Sequence, residues 1–273
     1  MIETRHTSMV DRELAAAAFG DRPGGWPLPT ATTPEQLWLR AVAAGGQGRY
    51  GSAYRDLAEL RRNGPAGRLR SLAHSTQASF LRQLGWHTLA RGWDGRALAL
   101  AATDPEARGD ALIGLAADAL GVGRFAAAAT LLARVDFVPA PDSAVPDRLP
   151  VRRRWVAAEL AMASADGASA VRHAEQAVEL VQAMAVPSER HRVKSQVVLA
   201  AALSSAGDTE RARAIGEAAL GAAGRMGLLP LRWALACLLI DLGSVSFSAQ
   251  KLREIRDICA GHVRRAGGAW RCA

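Results

Sequence analysis

Five short segments, each a glycine followed closely by an alanine, punctuate the chain: GRYGSA (48–53), GWDGRA (92–97), GRFAAA (123–128), GASAVRHA (167–174) and GDTERA (207–212). A glycine at such a point lets the chain leave one helix in a left-handed conformation, and the small residue lets the next helix press against the first. Between these points the apolar spacing is helical, and strand-like alternation never survives for more than a few residues. A sixth pair starts at Pro230, with Gly243 at its turn and Ala249 near the crossing. The turns fall roughly 30 to 45 residues apart, within the band of helical-hairpin repeats. The expected fold is therefore all-α with no sheet: an α-solenoid of about six antiparallel helical hairpins.

Composition agrees with close helix packing. About half of the 273 residues are apolar, and much of that half is alanine, while only 5% are aromatic, seven of them tryptophan. Alanine is the best helix former, whereas strands want β-branched residues.

Proline divides the chain. Residues 1–33 hold a short helix at 8–19, with Ser8 and Asp11 in capping-box spacing, and the linker GDRPGGWPLPTATTP. A first helical-repeat arm follows over 34–138. Prolines 139, 141, 146 and 150 make 139–150 a stiff, extended connector. A second arm covers 151–273.

The segment SFLRQLGWHTLARGWDGRALAL, with Leu84-Gly85 on a first helix, Gly92 at the turn and Ala97 on the second, resembles a tetratricopeptide (TPR) repeat. The preceding pair similarly closes at Pro65, and VLAAALSSAGDTERARAIGEAAL carries a G-D-x-x-x-A turn with Ala219 beyond it. The last two pairs, with MGLLPLRWALACLLIDLG between them, resemble helical arrays attached to some bacterial transcriptional regulators. The resemblance covers about residues 34–265, with irregular repeat spacing. It implies a non-enzymatic scaffold or adaptor with a regulatory role.

Chemistry-bearing motifs are scarce. Cys259 and His262 share a helix face and Cys237 and Cys272 lie nearby in sequence, but the C-x₂-C or H-x₃-H pairing of structural zinc is missing. There is no G-x-S-x-G elbow, P-loop or G-x-G-x-x-G after a strand. The six histidines, His74 and His87 included, have no identifiable catalytic partner. The expectation is no enzyme, no metal and no cofactor.

The formal charge is +8, and all basic residues except Lys194 and Lys251 are arginine. Such a balance favours acidic peptides, nucleic acid or anionic surfaces as partners, although GC-rich coding would produce the same arginines. Clusters at Arg152-Arg153-Arg154-Trp155, at Arg61, Arg62, Arg68 and Arg70, and at Arg264, Arg265, Trp270 and Arg271 support a nucleic-acid-associated regulator as the alternative function. The leading reading is a protein or peptide partner, acidic in character, held in the concave groove. In a solenoid the first helix of each hairpin lines that side, which places Trp38, Arg82, Trp86, Arg152, Trp155, Glu159 and Lys194 on it. Acids flank the only apolar run of the N-terminal segment, unlike a secretory leader, and no stretch has the roughly 18 apolar residues of a membrane span. The expected location is the cytoplasm, away from membranes.

Overall fold

The structure is a computed structural model that describes residues 8–135 and 145–271. Every regular element among the described residues is an α-helix, and there is no strand. Helix α1 (Met9–Phe19) precedes six antiparallel hairpins. These are α2 (Pro34–Gly46) with α3 (Tyr50–Asn63), α4 (Arg68–Gln83) with α5 (His87–Leu100), and α6 (Pro105–Gly121) with α7 (Phe125–Ala133). The series continues with α8 (Arg148–Ala163) and α9 (Gly167–Gln182), α10 (Glu189–Ser205) and α11 (Thr209–Arg225), and α12 (Leu229–Leu242) and α13 (Ala249–Arg265).

The hairpins repeat in register. Each mid-hairpin turn has one residue of positive φ: Gly48, Gly85, Gly123, Ala165, Gly207 and Gly243. Counted from these, Ala53, Ala90, Ala128, Ala170 and Ala212 occupy one equivalent place on the second helices, and all are fully buried. On the first helices Ala41, Ala78, Ala116, Ala158 and Ala236 share another equivalent place, again fully buried. Ala200 fills that place in the fifth hairpin, so a methyl group at both faces lets each of the first five hairpins close tightly.

This register corrects the reading of GWDGRA. Gly92 lies inside α5, exposed, and the turn of that hairpin is at Gly85. The Gly85 amide donates to the Arg82 carbonyl and the Trp86 amide to that of Leu81, which satisfies the end of α4. Ala97 is nevertheless at a close crossing: it is fully buried, and its carbonyl accepts from Ser71 Oγ at 2.7 Å.

The first half of the proline connector, residues 139–144, lies outside the described residues. Its end is helical: α8 begins at Arg148, so Pro150 falls in the first turn, where its missing N–H has no helical acceptor to lose. Leu112, Ile113, Ala116 and Leu132 from one side and Leu149 and Val156 from the other form one buried cluster. The apolar core therefore runs through the boundary between the two arms.

The array closes on itself. Val263 of α13 joins the core of α2, α3 and α4. The Gly51 amide donates to the Ala266 carbonyl at 2.7 Å, the Arg271 amide to Leu84, and Trp86 Nε1 to Ala269 at 2.7 Å. Trp270 stacks on Trp233 of α12, centroids 4.3 Å apart. Helix α1, capped by the reciprocal Ser8–Asp11 box, packs along α2 through Leu14, Ala17 and Ala18. The chain after α1 reaches α10, where the Glu189 amide donates to the Gly20 carbonyl. The last hairpin thus returns to the turns of the first two, like the overlapping ends of a lock-washer.

Candidate functional site

The six first helices converge on one concave pocket of about 410 Å³. Its walls come from Trp38 of α2, Phe80 and Arg82 of α4, Asp110 and Ile113 of α6, Arg148, Arg152, Trp155 and Glu159 of α8, Arg190, His191 and Lys194 of α10, and Trp233 of α12. Phe19, at the end of α1, and His87, at the start of α5, complete the lining. The volume is that of a small-molecule pocket or of a site that takes a few side chains of a partner.

Six of the seven residues selected from sequence, Trp38, Arg82, Arg152, Trp155, Glu159 and Lys194, line this pocket. Trp86 does not. It caps the α4–α5 turn, half-buried beneath the C-terminal segment, with its indole N–H held by Ala269. Trp38 is almost fully buried, and its Nε1 donates to Thr76 Oγ1 at 3.1 Å. Trp155 remains half-exposed, donates to Ser195 Oγ at 2.9 Å and stacks on His191 at 5.4 Å. With both indole N–H groups satisfied by the wall, these two rings contribute apolar surface to the pocket.

The charged lining has a pattern that the register makes visible. Glu106 and Asp110 on α6, Arg148 and Arg152 on α8, and Arg190 and Lys194 on α10 stand at equivalent pairs of positions, one turn apart on neighbouring helices. Arg68 on α4 extends the first row. In that row Arg68 Nε meets Glu106 at 2.5 Å and Arg148 Nη2 meets the same carboxylate at 2.6 Å. In the second row Arg152 pairs with Asp110. The acids of α6 thus neutralise the arginines of α8, but α10 brings two further cations. Lys194 finds Glu159 at 3.2 Å. Arg190 has no ion pair or hydrogen bond among the described residues; its guanidinium lies 5.7 Å from the centroid of Phe19, and that of Arg148 5.0 Å from the same ring.

Electrostatics follow the pattern. Burial, followed by repulsion from Arg148, pulls the Arg190 pKa down to about 10. Burial also lowers Arg152 to about 10, with Arg82 and Arg190 adding to the effect. His191 is held well below its ordinary value by burial and by the surrounding arginines, so it is neutral, with Nδ1 2.8 Å from Ser188 Oγ.

Behind the pocket, Arg82 Nη1 is shared by Asp94 (3.0 Å), Asp118 (2.6 Å) and the Gly114 carbonyl (3.1 Å). A Cβ on Gly114 would lie 2.2 Å from Asp94 Oδ2, so only glycine admits this cluster. Burial pushes Asp94 up to about 7, partly offset by Arg82.

No protein-family model matches the chain, and no curated protein does. Among the described residues no three histidine, cysteine, aspartate or glutamate side chains gather to hold a metal ion. Cys259 is buried in the core of α12 and α13, where burial raises its thiol pKa. No helix among the described residues is long and apolar enough to cross a membrane.

Sequence reasoning missed Arg148, Arg190, His191 and Phe19. The first two have a signal in the sequence once the register is right, since both stand at the same distance ahead of their turn residues, Ala165 and Gly207.

Proposed function

We propose that the protein is a non-enzymatic, TPR-like binding module, working in the cytoplasm as a scaffold or regulatory adaptor, that draws an acidic segment of a partner protein into its concave pocket. One observation carries the reading: the first helices of all six hairpins deliver their side chains to a single basic, aromatic-lined concavity. Arginine and tryptophan are the side chains that most often dominate interface energies. The buried alanines around each left-handed turn support the TPR-like assignment.

The nucleic-acid alternative has less support, because two of the three arginine clusters that suggested it are largely engaged within the fold, while Arg264, Arg265 and Arg271 stay exposed. Arg152 pairs with Asp110, Arg154 contacts His173 and Arg61 lies over Trp93.

Anisotropy with labelled hexaglutamate and labelled oligothymidylate, at low and high salt, tests the reading. The acidic peptide is expected to bind and to lose affinity in Lys194→Glu and Trp155→Ala, both half-exposed positions. Binding of the oligonucleotide alone, with a steep salt slope, would replace this reading with the alternative.

A further inference from the structure

The row of charges across α4, α6, α8 and α10 alternates and then fails. Arg68, Glu106 and Arg148 bond in succession, and the next place, where a carboxylate would continue the ladder, holds Arg190. Arg148 is 5% exposed, and its Nη1 is buried with no hydrogen-bond partner. A buried guanidinium N–H left unmade carries a desolvation penalty that a charged acceptor would remove. Arg190 is the first helical residue but one of α10, and Arg148 is the first of α8. Both cations therefore sit at the positive ends of helix dipoles, where an anion, not a cation, is favoured. Three independent features thus leave the same unmet demand for negative charge at one place in the pocket.

We propose that Arg148 and Arg190 form an anion subsite that holds the phosphate of an aryl phosphate monoester, with the aromatic body lying among Phe19, Trp38, Trp155 and His191. A phosphate monoester suits this place better than a carboxylate. It carries a charge of about −1.5 to −2 near neutrality and three acceptor oxygens, enough to serve two guanidinium groups, one of which already shares Glu106. The surrounding rings offer apolar surface without free polar edges, since both indole N–H groups are bonded within the wall. The depressed Arg190 pKa accords with a cation that lacks its counter-charge.

The proposal uses the pocket assigned above but not the identity of the partner. A chain that binds aryl phosphate and no acidic peptide would overturn that assignment and leave this one standing.

The test titrates the full chain with phenyl phosphate, following tryptophan fluorescence and the melting temperature. Parallel arms contain inorganic phosphate, benzenesulfonate, and a short neutral peptide bearing one phosphotyrosine. Phenyl phosphate is expected to bind, to raise the melting temperature, and to bind more tightly than either inorganic phosphate or the singly charged sulfonate. A tighter phosphotyrosyl peptide identifies a partner's modified side chain as the source, and a weaker one identifies a free small molecule; either result supports the subsite. Arg190→Gln should weaken phenyl phosphate about tenfold to a hundredfold, the range for one charge-assisted hydrogen-bonding partner. Arg190→Glu supplies the missing member of the ladder, so it should abolish binding while raising the melting temperature. A folding defect predicts the opposite sign for that melting shift. Absence of binding to the parent chain, equal affinity for the sulfonate, or unchanged affinity in both variants would each overturn the proposal.

Discussion

Arg82 is shared by two carboxylates, and a single guanidinium cannot fully compensate two buried negative charges. Asp94 responds by moving up to about 7. Its unfolded-state value is near 3.8, so between about pH 4 and 7 the folded chain binds more protons at this site than the unfolded chain does. Stability contributed by Asp94 therefore falls as pH rises through that window. His191 acts in the opposite sense: held neutral by burial, its contribution falls as pH drops below its ordinary 6.5. The two effects overlap in the parent profile, so the informative quantity is the difference between parent and Asp94→Asn. Urea unfolding at a series of pH values should show the parent losing stability relative to the variant from about pH 4 to pH 7. A flat difference would mean that Asp94 is ionised in the fold. A second residue-scale expectation concerns the register alanines. Ala128→Leu and Ala212→Leu should each cost about 1–3 kcal/mol by overpacking, whereas Ala168→Leu on the exposed face of α9 should leave the melt unchanged. These alanines were legible in the sequence because a close helix crossing requires a small residue soon after the turn glycine. The register gives the place of Arg190 in the row, but its importance lies in the missing neighbour, which no local pattern records.

At the scale of the helix, punctuation was legible wherever one glycine marked a turn, as at Gly48, Gly123, Gly207 and Gly243. It failed where the turn had no glycine, since Ala165 rather than Gly167 makes the turn before α9, and where glycines competed. Between Gly85, Gly92 and Gly95 the sequence offers no arbitration, and only Gly85 has the positive φ of a turn. The consequence reached the site: with the turn misplaced, Trp86 reads as a residue of the first helix, although it stands at the turn itself. The connector shows another limit, because proline at a helix's first turn is silent and Pro150 therefore did not mark where α8 begins. The C-terminal segment after α13 makes its contacts with elements remote in sequence, so nothing local announces it. Its anchor is Trp270 against Trp233. Trp270→Ala should cost about 2 kcal/mol, below the range of fully buried aromatics because both rings are partly exposed. Hydrogen exchange should also report faster exchange of the Gly51 amide, which depends on Ala266. Unaltered protection of that amide would mean that the seam holds without the tryptophan pair.

For the whole molecule, closure is the property that a repeat period cannot supply. Hairpin period and alanine register fix how neighbours pack, but curvature accumulates from small rotations at each interface, and whether the last hairpin meets the first depends on their sum. Here it does, and the consequence for the pocket is direct: α12 brings Trp233 to a wall that α2 begins with Trp38. An open array of the same hairpins would present a shallow trough instead. Closure also makes a quantitative prediction. A compact chain of this length has a radius of gyration of about 18 to 19 Å, and small-angle scattering of the full chain should give a value close to it. A chain ending at Arg265 lacks Ala266, Ala269, Trp270 and Arg271, hence every hydrogen bond described above from the C-terminal segment to α3, α4 and the α4–α5 turn. It should remain helical, since each hairpin keeps its own partner, yet expand measurably in scattering as the seam loosens. It should also keep binding phenyl phosphate, because Arg148 and Arg190 belong to α8 and α10, which the truncation leaves intact. Expansion with retained binding would separate the two layers of the design: neighbouring hairpins build the anion subsite, and the returning end of the chain sets the shape of the pocket around it. A truncated chain as compact as the parent would show that Val263 and the α12–α13 core hold the ends together without the terminal segment.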